Sequence, residues 1–148
     1  VLDRLRGKKK QKGPAISRLE FLGIKPVRNS IIRWEKNEQN IITLFIPPRQ
    51  PQNKKRRSIL SLLSPAPPER KIRLDTVGSI IWELCNGERT VKDIVQFLNE
   101  EYKMLPNEAE LSLNTYFDQL SKRGIMDFII PEETRARLEE AAEKEKKK

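Results

Sequence analysis

Residues 74–128 carry three apolar stripes at helical spacing, each ended by a turn signal, and this restricts the fold more than anything else in the chain. In the first, Val77, Ile80, Ile81, Leu84 and Cys85 recur at the spacing of a half-buried helix. Asn86-Gly87 stops it, because both residues tolerate the left-handed conformation that follows a helix. Thr90 opens a second helix, with Asp93 as its capping-box partner and Val91, Ile94, Val95 and Leu98 as its buried face. A third starts at Pro106-Asn107, with Asn107 as N-cap, Glu110 at the reciprocal position, and Ala109, Leu113, Tyr116, Phe117 and Leu120 as its stripe. Gly124 closes that helix, and residues 125–128 read as a short strand. Two helices joined by about four residues after a lead helix predict a helix-turn-helix core. Such a scaffold binds; no residue on it suggests chemistry.

Composition removes most catalytic classes. The 148 residues contain no histidine and one cysteine, Cys85, on the apolar stripe of the first helix. A Cys/His zinc site, an iron–sulfur centre and histidine acid–base catalysis are therefore excluded, and Cys85 reads as a small core residue. No glycine loop of the phosphate-cradling kind occurs. The expectation is a protein that is not an enzyme and needs no cofactor. No apolar run approaches the ~18–20 residues of a membrane span, so the reading is cytoplasmic, without stable membrane anchoring.

Charge is distributed unevenly. Residues 1–73 hold 19 Lys and Arg against 5 Asp and Glu, a net +14, whereas residues 74–148 hold 11 against 16, a net −5. The third helix carries Glu108, Glu110 and Asp118 against Lys122 and Arg123. A helix that reads the major groove should be positive, so DNA recognition loses support. The basic runs lie instead at Lys8, Lys9, Lys10 and Lys12, and at Lys54, Lys55, Arg56 and Arg57. Such arms suit phosphate, and an RNA- or ribosome-associated role is the alternative they suggest.

Ahead of the helices, residues 28–35 and 40–46 read as strands joined by the polar connector 36–39, and Pro47-Pro48 ends the second. Lys71-Ile72-Arg73-Leu74 alternates as a third strand. Ile16, Leu19, Phe21, Leu22 and Ile24 form a small apolar cluster able to pack back on the domain. The fold expected is α+β: a winged helix-turn-helix-like domain in which a small three-stranded antiparallel sheet precedes three helices. It spans residues 26–130, after a basic N-terminal arm (1–25). A Pro-rich basic insertion (49–70) interrupts it, with a short apolar helix expected around 58–63. A charged helical tail (131–148) follows; it starts with Pro131 at the first helical position, has Leu138 as its strongest apolar residue, and is expected to be solvated and to fray.

Several stretches together resemble the PqqD family, the peptide modification chaperones related to RiPP recognition elements. They are Leu74-Asp75-Thr76-Val77-Gly78, the turn from Trp82 through Asn86-Gly87-Glu88-Arg89-Thr90, Ile94, and the closing Leu120-Ser121-Lys122-Arg123-Gly124-Ile125. Pro26-Val27-Arg28-Asn29 and Trp34-Glu35 extend the likeness, so that it covers about residues 26–128. The resemblance implies a non-catalytic protein that binds the leader segment of a precursor peptide. It would present that segment to a modifying enzyme, often a radical SAM protein. The leader would add as a strand to the edge formed by Lys71, Ile72, Arg73 and Leu74, with side chains entering a groove beside the third helix. On that helix Leu111, Thr115, Asp118 and Lys122 fall opposite the core stripe and are the candidate lip.

Overall fold

The computed structural model describes residues 15–48 and 68–148. The basic runs at Lys8–Lys12 and Lys54–Arg57, and the apolar segment around 58–63, lie outside the described residues.

A short helix, α1 (Arg18–Gly23), comes first. Ser17 accepts from the Glu20 N–H while the Glu20 carboxylate accepts from the Ser17 N–H, a complete capping box. Phe21 and Leu22 pack on the core and Ile24, after the helix, is buried within it, whereas Ile16 and Leu19 of the expected cluster are exposed.

The strands depart from the expected single sheet. Strand β1 (Lys25–Arg28) pairs antiparallel with β5 (Met126–Ile129), in register Lys25 to Ile129 and Arg28 to Met126. A separate three-stranded antiparallel sheet runs β2–β3–β4, with β2 at Arg33–Lys36, β3 at Ile42–Ile46 and β4 at Arg70–Arg73. The predicted strand 28–35 breaks because Asn29 makes a turn. Its Oδ1 accepts from the Ile31 N–H at 3.1 Å, and its Nδ2 donates to the Gly124 carbonyl at 2.9 Å. The hairpin connector is 37–41 and not 36–39. Asn37 Oδ1 accepts from the N–H groups of Gln39 and Ile41 there, and Asn40 sits at φ 60°, which removes it from the ladder.

Helix α2 (Thr76–Leu84) is capped by Asp75, whose carboxylate accepts from the Gly78 N–H at 2.6 Å. Its buried face is centred on Gly78, Ser79, Ile81 and Trp82, with Val77, Ile80 and Leu84 only half-buried. The stripe is rotated from the apolar count because Ser79 is tied into the core: its hydroxyl accepts from the Ile42 N–H of β3 at 2.9 Å. Gly78 faces Tyr116, whose hydroxyl donates to the Gly78 carbonyl at 2.9 Å, and a Cβ there would lie 2.8 Å from Asp75 Oδ1. Gly87 after the helix has φ +84°, as the turn requires.

Helix α3 (Val91–Tyr102) has the expected Thr90–Asp93 capping box and buries Val91, Ile94, Val95 and Leu98. Helix α4 (Pro106–Lys122) buries Ala109, Leu113, Phe117 and Leu120, with Tyr116 half-buried beside them. Its N-cap is Leu105, without a side-chain cap, not Asn107. Proline fixes the first turn from position N1, and the Glu110 carboxylate turns away to accept from Arg18 Nε at 2.8 Å and Nη2 at 2.7 Å. Helix α5 (Glu132–Lys146) starts one residue after Pro131. It does not simply extend into solvent. Thr134 is buried, Leu138 is half-buried, and Arg137 donates to the Glu20 carboxylate at 2.7 Å and to the Ala15 carbonyl at 3.0 Å.

The core gathers Ile42 and Leu44 from the sheet, Trp82 and Cys85 from the end of α2, Ile94 and Leu98 from α3, and Leu113 and Ile125, all without exposure. Among the described residues no helix is long and apolar enough to cross a membrane.

Candidate functional site

Strand β4 holds only one neighbour among the described residues, so its outer side is a sheet edge. The register pairs Thr43 with Arg73, Leu44 with Ile72 and Phe45 with Lys71. Leu74 N–H donates to the Ile42 carbonyl at 2.9 Å, which makes 42/74 a hydrogen-bonded pair and, by alternation, 44/72 and 46/70 as well. The N–H and C=O groups of Lys71 and Arg73 therefore point away from β3. This edge offers two donors and two acceptors in the alternation that an added strand requires.

Side chains divide between the two faces of β4. Ile72 is half-buried against the core, and with Ile46, Pro47, Pro48, Pro68, Arg70 and Arg123 it lines a groove of about 610 Å³. Lys71 and Arg73 lie on the opposite face. There Lys71 Nζ sits 5.7 Å from the centre of the Phe45 ring, and the Arg33 guanidinium carbon sits 3.8 Å from it. Arg33 is ion-paired to Glu35 at 2.8 Å and Glu69 at 3.2 Å. Among the described residues no carboxylate pairs with Arg70, Lys71, Arg73 or Arg123, so the edge and its groove carry uncompensated positive charge.

Of the α4 residues expected to share this site, Leu111 and Asp118 line other cavities. Leu111 is 68% exposed and lines a groove of about 470 Å³ with Ile16, Phe21 and Asn114, between α1 and α4. Asp118 borders the adjoining cavity of about 190 Å³ with Phe21, Phe117 and Phe128. Asp118 is also bound by Lys122 at 2.6 Å, and the exposed Thr115 hydroxyl donates to the Leu111 carbonyl. Lys71, Ile72 and Arg73 thus stand along one strand edge and Leu74, after it, is buried in the core, whereas Leu111 and Asp118 line the α1 flank of α4. The residue from this side that reaches the β4 groove is Arg123, the C-cap of α4, twelve positions after Leu111 and about 120° around the helix axis. Ile46, Pro47 and Pro48 belong to the groove as well. Sequence marked the prolines only as the end of a strand, and the apolar wall they make depends on where β4 pairs.

Burial pushes the Cys85 thiol up to about 12, which leaves it protonated at neutral pH. Among the described residues no group of three or more His, Cys, Asp or Glu could hold a metal ion.

Residues 66–126 match the family model described as Coenzyme PQQ synthesis protein D (PqqD). No curated protein and no solved structure gives a match to the chain. The matched stretch begins just before β4 and ends in β5, so it contains the edge strand and the three helices α2, α3 and α4 but leaves β1, β2 and β3 outside. The turn after α2, the Thr90 cap and the Gly124 stop fall inside it. The segment that carries the open strand edge is thus the part of this chain that is similar to the PqqD family.

Proposed function

We propose that this protein is a non-catalytic, PqqD-like chaperone. It binds an extended segment of a precursor (leader) peptide as an added strand along β4 and presents it to a modifying enzyme. The observation that carries this reading is the outward row of backbone groups at Lys71 and Arg73, set beside a groove with an apolar floor. Backbone hydrogen bonds would give affinity, and the side chains facing Ile72 would give selectivity. The family match supports it, because the matched segment contains this edge.

Proline substitution separates the two sides of the strand. Lys71→Pro removes an outward N–H and leaves the β3 ladder intact, whereas Ile72→Pro deletes a ladder bond and breaks the sheet. With peptides selected from a randomised display library against the full chain, Lys71→Pro should bind about tenfold more weakly than Lys71→Ala while its circular dichroism stays native. Equal affinity of the Pro and Ala variants would remove the strand-addition mechanism. The alternative, an RNA- or ribosome-associated protein using Lys8–Lys12 and Lys54–Arg57, predicts that no peptide is selected. It also predicts that a single-stranded RNA binds with a steep loss on added salt.

A further inference from the structure

We infer that the peptide accepted by β4 is acidic: a short extended segment in which Asp or Glu flanks one apolar residue, the apolar residue lying opposite Ile72. The inference rests on the strand-addition reading and specifies its substrate. Three of the four residues of β4 are cations, Arg70, Lys71 and Arg73, and they occupy both faces of the strand. A strand added at this edge places alternate side chains beside Lys71 and Arg73 on one face, and beside Arg70 and Ile72 on the other.

On the outer face Lys71 is held near the Phe45 ring, whose other close cation is Arg33. Arg33 already has Glu35 and Glu69, whereas Lys71 and Arg73 have no carboxylate partner among the described residues. On the groove face Arg70 and Arg123 stand at the rim of a floor made by Ile46, Pro47, Pro48 and Ile72. One apolar side chain fits that floor, and acids fit its rim. A nucleic-acid strand suits the edge less well. Its phosphates satisfy the cations and the two N–H groups but face the two outward carbonyls with acceptors only, whereas a peptide strand offers both donors and acceptors.

The test uses three twelve-residue peptides that differ only in a central five-residue core: Glu-Glu-Val-Glu-Glu, its Gln counterpart and its Lys counterpart. The acidic core satisfies the pattern in either strand direction. It should bind the full chain about tenfold more tightly than the Gln core, as expected for several exposed charge pairs acting together. The Lys core should bind least. In the double variant Lys71→Glu/Arg73→Glu the order of acidic and Lys cores should invert. Arg123→Gln, on a different element, should weaken only the acidic core, by about threefold. Amide exchange at Lys71 and Arg73 is followed with each ligand and with a single-stranded RNA. If the Gln and Glu cores bind equally and both protect these amides, the acidic preference is overturned and strand addition stands. If no peptide protects them, or only the RNA does, strand addition fails and the acidic preference fails with it.

Discussion

Arg28 shows how a single residue can join several parts of this fold. Its guanidinium donates to the carbonyls of Trp82 and Glu83 at 2.9 and 3.0 Å, and its backbone N–H donates to the Cys85 carbonyl at 3.0 Å. The last carbonyls of α2 lack intrahelical partners and carry the negative end of the helix dipole, so a cation there serves both needs. The same side chain lies 5.5 Å from the Trp34 ring of β2. Arg28→Met, which keeps the stem and removes the donors, should cost about 1.5–3 kcal/mol in urea unfolding. A loss within experimental error would show that water replaces the guanidinium at no cost. None of this was legible in the sequence, where Arg28 stood at the start of a supposed strand. The carbonyls it binds lie more than fifty residues away, and no local pattern encodes them. Trp82 is similar: it is fully buried with an indole N–H that finds no acceptor among the described residues, yet by spacing alone it fell beside the apolar stripe.

At the scale of elements, what could be read in advance was what is decided locally. The Thr90–Asp93 box, the α3 stripe, the positive φ at Gly87 and Gly124, and the α4 stripe all depend on neighbours within one or two turns. The capping box at Ser17 and Glu20 was equally local, and the Ser-x-x-Glu spacing was there to mark α1. Strand partnership was not local. The β1–β5 pair brings together residues about a hundred positions apart, and β4 is the free edge of a separate three-stranded sheet. The docking of α5 is also non-local, and it makes a prediction in pH. Arg137, and then the Ser17 backbone, hold the Glu20 carboxyl at about 2, below its ordinary value of 4.5. A depressed carboxylate stabilises the contact above its ordinary value and loses that contribution as pH falls through the depressed one. The resonances of α5 should therefore hold steady down to about pH 4.5 and shift between there and about 2. In Glu20→Gln they should sit at the undocked position throughout. A midpoint above 4.5 would show that another group governs the docking.

For the whole molecule, the proposed site is an arrangement of sheet against helix that leaves one cationic edge open. The candidate residues read from the sequence divided once the fold was in place. Ile72 shares a groove with Arg70 and Arg123, and Lys71 and Arg73 face the other side of the strand, whereas Leu111 and Asp118 border cavities beside α1. Helical spacing correctly marked Leu111 as lying off the core stripe, but it cannot say which flank of a helix meets the sheet. The chain's basic first half and acidic second half meet at β4, where the cations of the first half end the sheet and Asp75 begins the helices.

The most direct test of strand addition is amide hydrogen exchange, resolved by residue, in the full chain with and without a bound peptide. In the free protein Ile72 and Leu74 should be protected by β3, and Lys71 and Arg73 should exchange quickly. A bound peptide should slow Lys71 and Arg73 in proportion to its occupancy and leave Ile72 and Leu74 as they were. Peptide binding that leaves Lys71 and Arg73 exchanging at their free rates would contradict the account and move the binding surface away from β4.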